Sequence, residues 1–135
     1  QAIRQALTRA KLTPGCIDHV NTHSTSTVAG DLLELQALKS IFKDNLTRPI
    51  LTATKSMTGH LLGAAGSLEA VMSILSLQKQ MIPPTINVSN PDPLCDEFQI
   101  HFASKALYRP IETVLSNSFG FGGTNSCLIF QRYQA

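Results

Sequence analysis

Three short apolar segments of this chain each lead into a turn built from polar or glycine residues. The first turn, residues 20–27, reads VNTHSTST; the second, residues 54–60, reads TKSMTGH; the third, residues 117–125, reads NSFGFGGTN. An apolar run of about five residues that ends in such a turn is typical of a buried strand. Helical patterns lie between these segments, so their order predicts a mixed α/β sheet covered by helices.

The helical patterns differ in character. Residues 3–10 carry apolar side chains at helical spacing, and no N-cap residue precedes them. Asp31 followed by Glu34 resembles a capping box, which predicts a second helix that ends near residue 44. Residues 62–77 are apolar or small almost all round, which predicts a central helix buried on every side, as between two sheets.

The remaining segments are short. Residues 81–93 contain four prolines and two asparagines and are expected to form a surface loop. The Gly-rich third turn is expected to join the last two strands as a hairpin. The predicted strands are residues 16–20, 49–53, 98–102, 113–118 and 126–130.

Size and composition narrow the class of protein. The 135 residues, of which 43% are hydrophobic and 15% charged, indicate one globular domain spanning residues 1–135. The formal charge of +2 is spread without basic runs, which argues against nucleic acid or a membrane surface as partner. Three widely spaced cysteines and the lack of a signal-peptide or membrane-spanning pattern predict a soluble cytoplasmic protein.

The first two turns each contain a histidine. A lone histidine after a strand is more often a loop residue than a catalytic one. Two of them, His23 and His60, each at the end of a predicted strand, favour a shared site at the sheet edge. Lys55 lies in the second turn, and its charge would discourage protonation of a neighbouring imidazole.

A metal centre is the competing interpretation of these histidines. Its candidate ligands would be His19, His23, His60 and His101. None of them forms a pair with ligand spacing, and His19 should point to the opposite face of its strand from its immediate neighbours. We therefore expect no metal site.

The third turn and one buried charge complete the candidate residues. The glycines around Phe119 and Phe121 permit a movable aromatic gate and backbone N–H groups that stabilise an oxyanion, although a plain hairpin turn is the simpler interpretation. Glu69 is the only charge in the apolar helix. It is expected either to pair with a donor such as Lys55 or to face water at an edge, because burial without a partner is costly.

These three turns, in this order, resemble the C-terminal half of the β-ketoacyl-acyl-carrier-protein synthases, and most closely the elongating enzymes of type II fatty acid synthesis. The resemblance covers essentially the whole chain. It implies a thiolase-like αβαβα fold and a Cys-His-His catalytic set whose cysteine lies in the N-terminal half. The first strand of this half and the whole N-terminal half are expected to be missing here.

The resemblance also implies roles for individual residues. His23 and His60 correspond to the catalytic histidines, Lys55 to the lysine that supports the second, and Phe121 to a gate whose N–H shares the oxyanion hole. Glu69 corresponds to a buried glutamate that helps organise the site. The substrate-binding residues it implies are Thr25, Thr27, Phe119 and Gly122.

The implied reaction is the decarboxylative condensation of malonyl-carrier with an acyl group. The implied partners are an acyl carrier protein bearing acyl- or malonyl-phosphopantetheine, the N-terminal half, and a second copy in a homodimer, with no cofactor. None of Cys16, Cys95 and Cys127 matches the nucleophile motif, so the segment is expected to be inactive alone. Ser24 replaces a small Gly or Ala, and residues 28–29 replace a usual Pro-Leu.

Two alternatives stay open at this point. A polyketide-type or mitochondrial ketosynthase would use the same three turns for the same chemistry. A non-catalytic carrier-binding or dimer-partner protein would keep the fold without the reaction.

Overall fold

A computed structural model describes residues 1–43, 49–97 and 102–133 of the chain, with the side chain of residue 97 left aside. Its helices and strands alternate in the first half of the chain. The helices are α1 (Ala2–Ala10), α2 (Val28–Phe42), α3 (Lys55–Thr58), α4 (Ala65–Lys79) and α5 (Leu94–Glu97). The strands are β1 (His19–Asn21), β2 (Ile50–Thr52), β3 (Met81–Ile82), β4 (Leu107–Tyr108), β5 (Thr113–Phe119) and β6 (Asn125–Gln131).

The main sheet is mixed, as predicted, with strand order β2-β1-β5-β6. β1 runs parallel to both neighbours, so that Asn21 at its carboxyl end lies opposite Thr52 of β2 and Ser116 of β5. β5 and β6 form the predicted antiparallel hairpin around the Gly-rich turn. Because the carboxyl ends of parallel strands share one edge, all three polar turns meet there.

The core lies where α1 and α2 cover this sheet. Ile3 and Leu7, two members of the predicted α1 stripe, are buried, as are Leu38 and Phe42 of α2. Their spacing places the apolar side chains of each helix on the face that meets the strands. This packing fixes the backbone from which the first turn departs.

The predicted capping box of α2 is wrong. The helix begins at Val28, with Thr27 as the N-cap residue and no side-chain cap hydrogen bond, and Asp31 lies inside its first turn. The carboxylate of Glu34 instead accepts backbone N–H groups of His23 and Ser24 in the preceding loop. The predicted end of the helix near residue 44 lies outside the described residues.

Two segments differ from their predicted structure. The surface loop expected from residue 81 starts later, because Met81 and Ile82 pair with β4. Ile82 is fully buried in a small second cluster with Ala103 and Ile111. Of the strand predicted at residues 98–102, only Phe102 is described, and it forms a parallel bridge with Leu51.

Helix α4 is buried on one face in this chain. Glu69 and Ser73 face the sheet, and a Cβ at Gly66 would lie only 3.0 Å from the Oγ atom of Ser118 in β5, so the expected close backbone approach is present. The second face, predicted to be buried too, is exposed here, because no element of the described residues covers the side of the helix that faces away from the main sheet. The α4 patch consists of Val71, Ile74 and Leu75, which helical spacing places on one face and which are 40% to 52% exposed.

No helix in the described ranges is both long enough and apolar enough to cross a bilayer.

We expect the chain to self-associate through the α4 patch, because contiguous exposed apolar side chains favour association in water. The double substitution Val71→Lys, Leu75→Lys should shift the sedimentation profile towards the monomer at tens of micromolar protein. Leu33→Lys, at an exposed leucine on α2, is the matched control and should leave the profile unchanged. A monomeric unsubstituted chain would contradict this expectation.

Candidate active site

The first turn is held by one buried carboxylate. Glu34 accepts hydrogen bonds from the backbone N–H groups of His23 (3.0 Å) and Ser24 (2.9 Å) and from the Nδ2 atom of Asn117 (2.9 Å). Its side chain is 3% exposed, and burial raises its pKa while these donors oppose the shift. Glu34 therefore joins the His23 loop to α2 and to β5.

The second turn places a cation and a histidine. The hydroxyl of Thr54 donates to Oδ1 of Asn21 at the end of β1 (3.0 Å), which seats the start of α3 on the sheet edge. Gly59 follows α3 with a φ of 72°, a conformation that favours glycine, and reverses the chain towards His60. The backbone N–H of Leu62 donates to Nδ1 of His60 (3.2 Å). That bond assigns the proton of a neutral His60 ring to Nε2, which leaves this atom as a donor.

The two histidine rings lie edge to face. Their centroids lie 5.7 Å apart with an interplanar angle of 86°, and the ring of Phe119 lies 5.8 Å from that of His23. The structure thus brings one side chain from each of the three turns into a single cluster. Burial, the charge of Lys55 and the proximity of His60 lower the pKa of His23 to about 4. The His23 ring is neutral at pH 7.

A buried ion pair lies beneath this cluster. The Nζ atom of Lys55 contacts Oε1 of Glu69, with side chains 6% and 3% exposed. Of the two possibilities for Glu69, the structure shows the pairing with Lys55. Burial raises the pKa of Glu69, and the hydrogen bond and charge of Lys55 oppose the shift. Removing one partner would leave the other as an unpaired buried charge, which is far more costly than losing a surface pair.

The other predicted site residues lie at the rim of the cluster. The hydroxyls of Thr25 and Thr27 are 3.3 Å apart in the loop after His23. Phe121 is fully exposed, and the φ of 72° at Gly122 bends the turn beside it. Among the described rings, Phe119 and not Phe121 is the phenylalanine that contacts His23.

A groove of about 580 Å³ lies between α2 and the loop at residues 87–95. Ser24 and Thr27 line it, but His23 and His60 do not. The histidine cluster is therefore open at the sheet edge and is not enclosed within this groove.

The competing metal interpretation gains no support. His19 is fully buried in β1, its Nε2 atom lies 2.6 Å from Oγ1 of Thr52, and burial lowers its pKa to about 3. His101 lies outside the described residues. Within residues 1–43, 49–97 and 102–133, no group of three His, Cys, Asp or Glu side chains is placed to hold a metal ion.

Sequence reasoning missed three supporting residues. The capping pattern predicts another role for Glu34, and no motif predicts a role for Asn21 or Asn117. Asparagine is uncommon inside strands. An asparagine within a predicted strand is therefore a signal that its side chain forms hydrogen bonds. Asn21 at the carboxyl end of β1 and Asn117 within β5 both carry this signal, and both are buried.

The ring of His23 is expected to stay neutral down to about pH 5. In an NMR titration its Cε1 proton should shift with a midpoint near pH 4, as its pKa implies. The same signals in urea-unfolded chain, which serve as the control, should titrate near pH 6.5. A midpoint near 6.5 in the folded chain would contradict the burial of this ring beside Lys55.

Glu34→Gln should destabilise the fold by about 2 to 3 kcal/mol, because an amide in place of the carboxylate turns a donor towards buried N–H groups. Urea unfolding followed by circular dichroism measures the change. The control Glu112→Gln removes an exposed carboxylate that lies 3.5 Å from Arg132, and should cost less than about 0.5 kcal/mol. Equal effects of the two substitutions would show that Glu34 does not anchor the loop.

Comparisons with known proteins agree with this geometry. The curated 3-oxoacyl-[acyl-carrier-protein] synthase 2 of Coxiella burnetii is 47% identical over 96% of the chain, which spans 31% of that protein. A solved beta-ketoacyl synthase from Burkholderia phymatum matches 97% of the chain at 39% identity with a TM-score of 0.87, and the chain covers 31% of it.

A solved type II polyketide ketosynthase in complex with its acyl-carrier protein matches 98% of the chain at 33% identity and a TM-score of 0.91; the chain covers 32% of that structure. These likenesses confirm the thiolase-like α/β fold. The chain spans about a third of the length of the relatives it matches. The family model for the beta-ketoacyl synthase C-terminal domain matches residues 1–89. The chain therefore belongs to the beta-ketoacyl synthase family and corresponds to its C-terminal domain.

Proposed function

We propose that this chain is the histidine-bearing part of a 3-oxoacyl-[acyl-carrier-protein] synthase of type II fatty acid synthesis. The observation that carries the proposal is the pairing of a neutral His23 with His60 at 5.7 Å, above the buried Lys55–Glu69 pair. Two imidazole donors at one place suit a reaction that develops negative charge on an oxygen. Curated relatives of this name are 43% to 47% identical to the chain over 131 to 134 aligned residues.

In the proposed reaction both imidazoles donate to the thioester carbonyl oxygen of malonyl-carrier. The bond to the carboxylate breaks, carbon dioxide leaves, and the electron pair passes through the new carbon–carbon double bond onto that oxygen. The enolate then attacks an acyl group held as a thioester on a cysteine. A carbon–carbon bond forms, the cysteine thiolate leaves, and a 3-oxoacyl-carrier results.

The protonation state of the histidines decides whether they suit this role. A ring that donates from its nitrogen while staying neutral stabilises the enolate without giving its proton away in the ground state. The lowered pKa of His23 provides this state at neutral pH. At His60, the bond from Leu62 to Nδ1 directs the donor atom, Nε2, away from the backbone.

The rim residues fit the substrate end of the same reaction. The paired hydroxyls of Thr25 and Thr27 can hydrogen-bond the amides of a phosphopantetheine arm. The exposed ring of Phe121, between glycines, is suited to act as a movable gate, and its N–H to serve an oxyanion. Phe119 and Gly122 would line the acyl and malonyl end of the site.

The proposal extends to parts that the chain does not contain. The nucleophilic cysteine would come from an N-terminal portion, and the acyl carrier protein and a second copy of the enzyme would be the partners. A cytoplasmic location is proposed from the odd number and wide spacing of the three cysteines, a pattern that suits a reducing compartment better than a disulfide framework. The polyketide alternative is less favoured, because two solved ketosynthases of polyketide synthases are 30% and 33% identical.

The decisive experiment restores the absent portion. Residues 1–135 replace the matching C-terminal part of the Coxiella burnetii relative, and mass spectrometry follows 3-oxoacyl-carrier formation from malonyl- and acyl-carrier. His23→Ala and His60→Ala should each lower the rate by about 10²- to 10³-fold, the typical effect of losing an oxyanion donor. Lys79→Ala, at the exposed end of α4, should keep the parent rate.

Two outcomes would count against the proposal. One is a parent fusion without condensation activity, and the other is equal activity of the parent and both histidine variants. The 135-residue chain alone should yield no 3-oxoacyl product.

A further inference from the structure

We propose that residues 85–87, called the 85–87 strap, position the second turn and thereby Lys55 and His60. This inference rests on the proposed function, in which that turn serves decarboxylation. Three consecutive residues, Thr85, Ile86 and Asn87, act as positioning residues and do not touch the reacting atoms.

The strap forms hydrogen bonds to the residue before Thr54 and to the second residue of α3. Ala53 donates its backbone N–H to the hydroxyl of Thr85 (2.9 Å), just before α3 begins. The backbone N–H of Ile86 donates to Oγ of Ser56 (3.0 Å). The Nδ2 atom of Asn87 donates to the carbonyl oxygen of Ser56 (3.3 Å). Lys55 lies between Ala53 and Ser56, the two residues that the strap contacts.

The strap is itself fixed to the rest of the molecule. Thr85 donates its backbone N–H to the carbonyl oxygen of Ala103 (2.7 Å), and Ile82, three residues earlier, is buried in the second core cluster. Two prolines between Ile82 and Thr85 restrict the backbone there. A segment anchored in this way can hold a turn in place.

The backbone of Asn87 has the conformation that its contact with Ser56 requires. Its φ is 64°, in the left-handed region, which asparagine adopts more readily than most non-glycine residues. Its side chain is the group that reaches Ser56. Ile86 and Asn87 are exposed, so this end of the strap buries little apolar surface, and its contribution is to orient the turn.

Helix α3 needs such support because it spans only Lys55–Thr58. A single helical turn is not stable by its own hydrogen bonds. On one side Thr54 bonds Asn21 and Lys55 pairs with Glu69. The strap provides a second, independent set of contacts. A misplacement of about 1 Å at a catalytic group can cost about 10²-fold in rate.

The contacts are tested first in the full 135-residue chain by amide hydrogen exchange. Thr85→Val keeps the shape of the side chain but removes the acceptor of the Ala53 N–H, and should speed exchange at Ala53 by about tenfold. Thr85→Ser keeps the hydroxyl and should restore slow exchange. Equal exchange at Ala53 in all three proteins would overturn the strap.

The consequence is tested in the fusion with the Coxiella burnetii N-terminal portion. Thr85→Val should lower kcat for malonyl decarboxylation by about 10- to 100-fold. KM should stay within about twofold, and acyl transfer to the cysteine should be unchanged. Thr85→Ser should recover the decarboxylation rate, and Asn90→Ala, an exposed residue of the same loop, should have no effect.

Two results would overturn the positioning role: a parallel loss of decarboxylation and acyl transfer in Thr85→Val, or failure of Thr85→Ser to recover the rate. A parent fusion that does not decarboxylate malonyl-carrier would instead overturn the proposed function. The exchange measurement then decides separately whether the strap contacts exist.

Discussion

The carboxylate of Glu34 is the interaction on which the arrangement of the site depends. It receives N–H groups from two consecutive residues of the His23 loop and the amide of Asn117, and so connects α2, the end of β1 and β5 through one buried group. Burial raises the pKa of Glu34, and the three donors offset part of that shift. Glu34 thereby fixes the backbone of His23 and does not occupy its ring, which stays available for chemistry.

The charge of Lys55 adds to the effect of burial on the protonation of His23. Lys55 is buried, and its pairing with Glu69 allows a cation to persist there. The same cation disfavours a second positive charge on His23, in addition to the larger effect of burial. One ion pair thus has two consequences: it fixes the second turn to α4, and it keeps the His23 ring in the form that can donate a hydrogen bond without becoming an acid.

The elements that sequence predicts well are those fixed by local pattern. The strands before His23 and Lys55 and the hairpin around Gly122 follow from apolar runs that end in turn residues. The role of Glu34 could not be predicted in this way, because a carboxylate near a helix start satisfies the capping pattern equally well. Its true partners are 10 and 83 residues away, for Ser24 and Asn117, and only the tertiary structure brings them together.

Helix α4 lies between the candidate site and an exposed surface. One face of it carries Glu69, which pairs with Lys55, and the other carries Val71 and Leu75, which remain exposed. A layer over that exposed face would leave the ion pair unchanged, because the pair is already buried against the sheet. The histidine rings differ, since His60 is exposed and His23 is only half-buried. Coulombic effects grow as water is excluded, so a partner that covered the rings would strengthen the influence of Lys55 on His23.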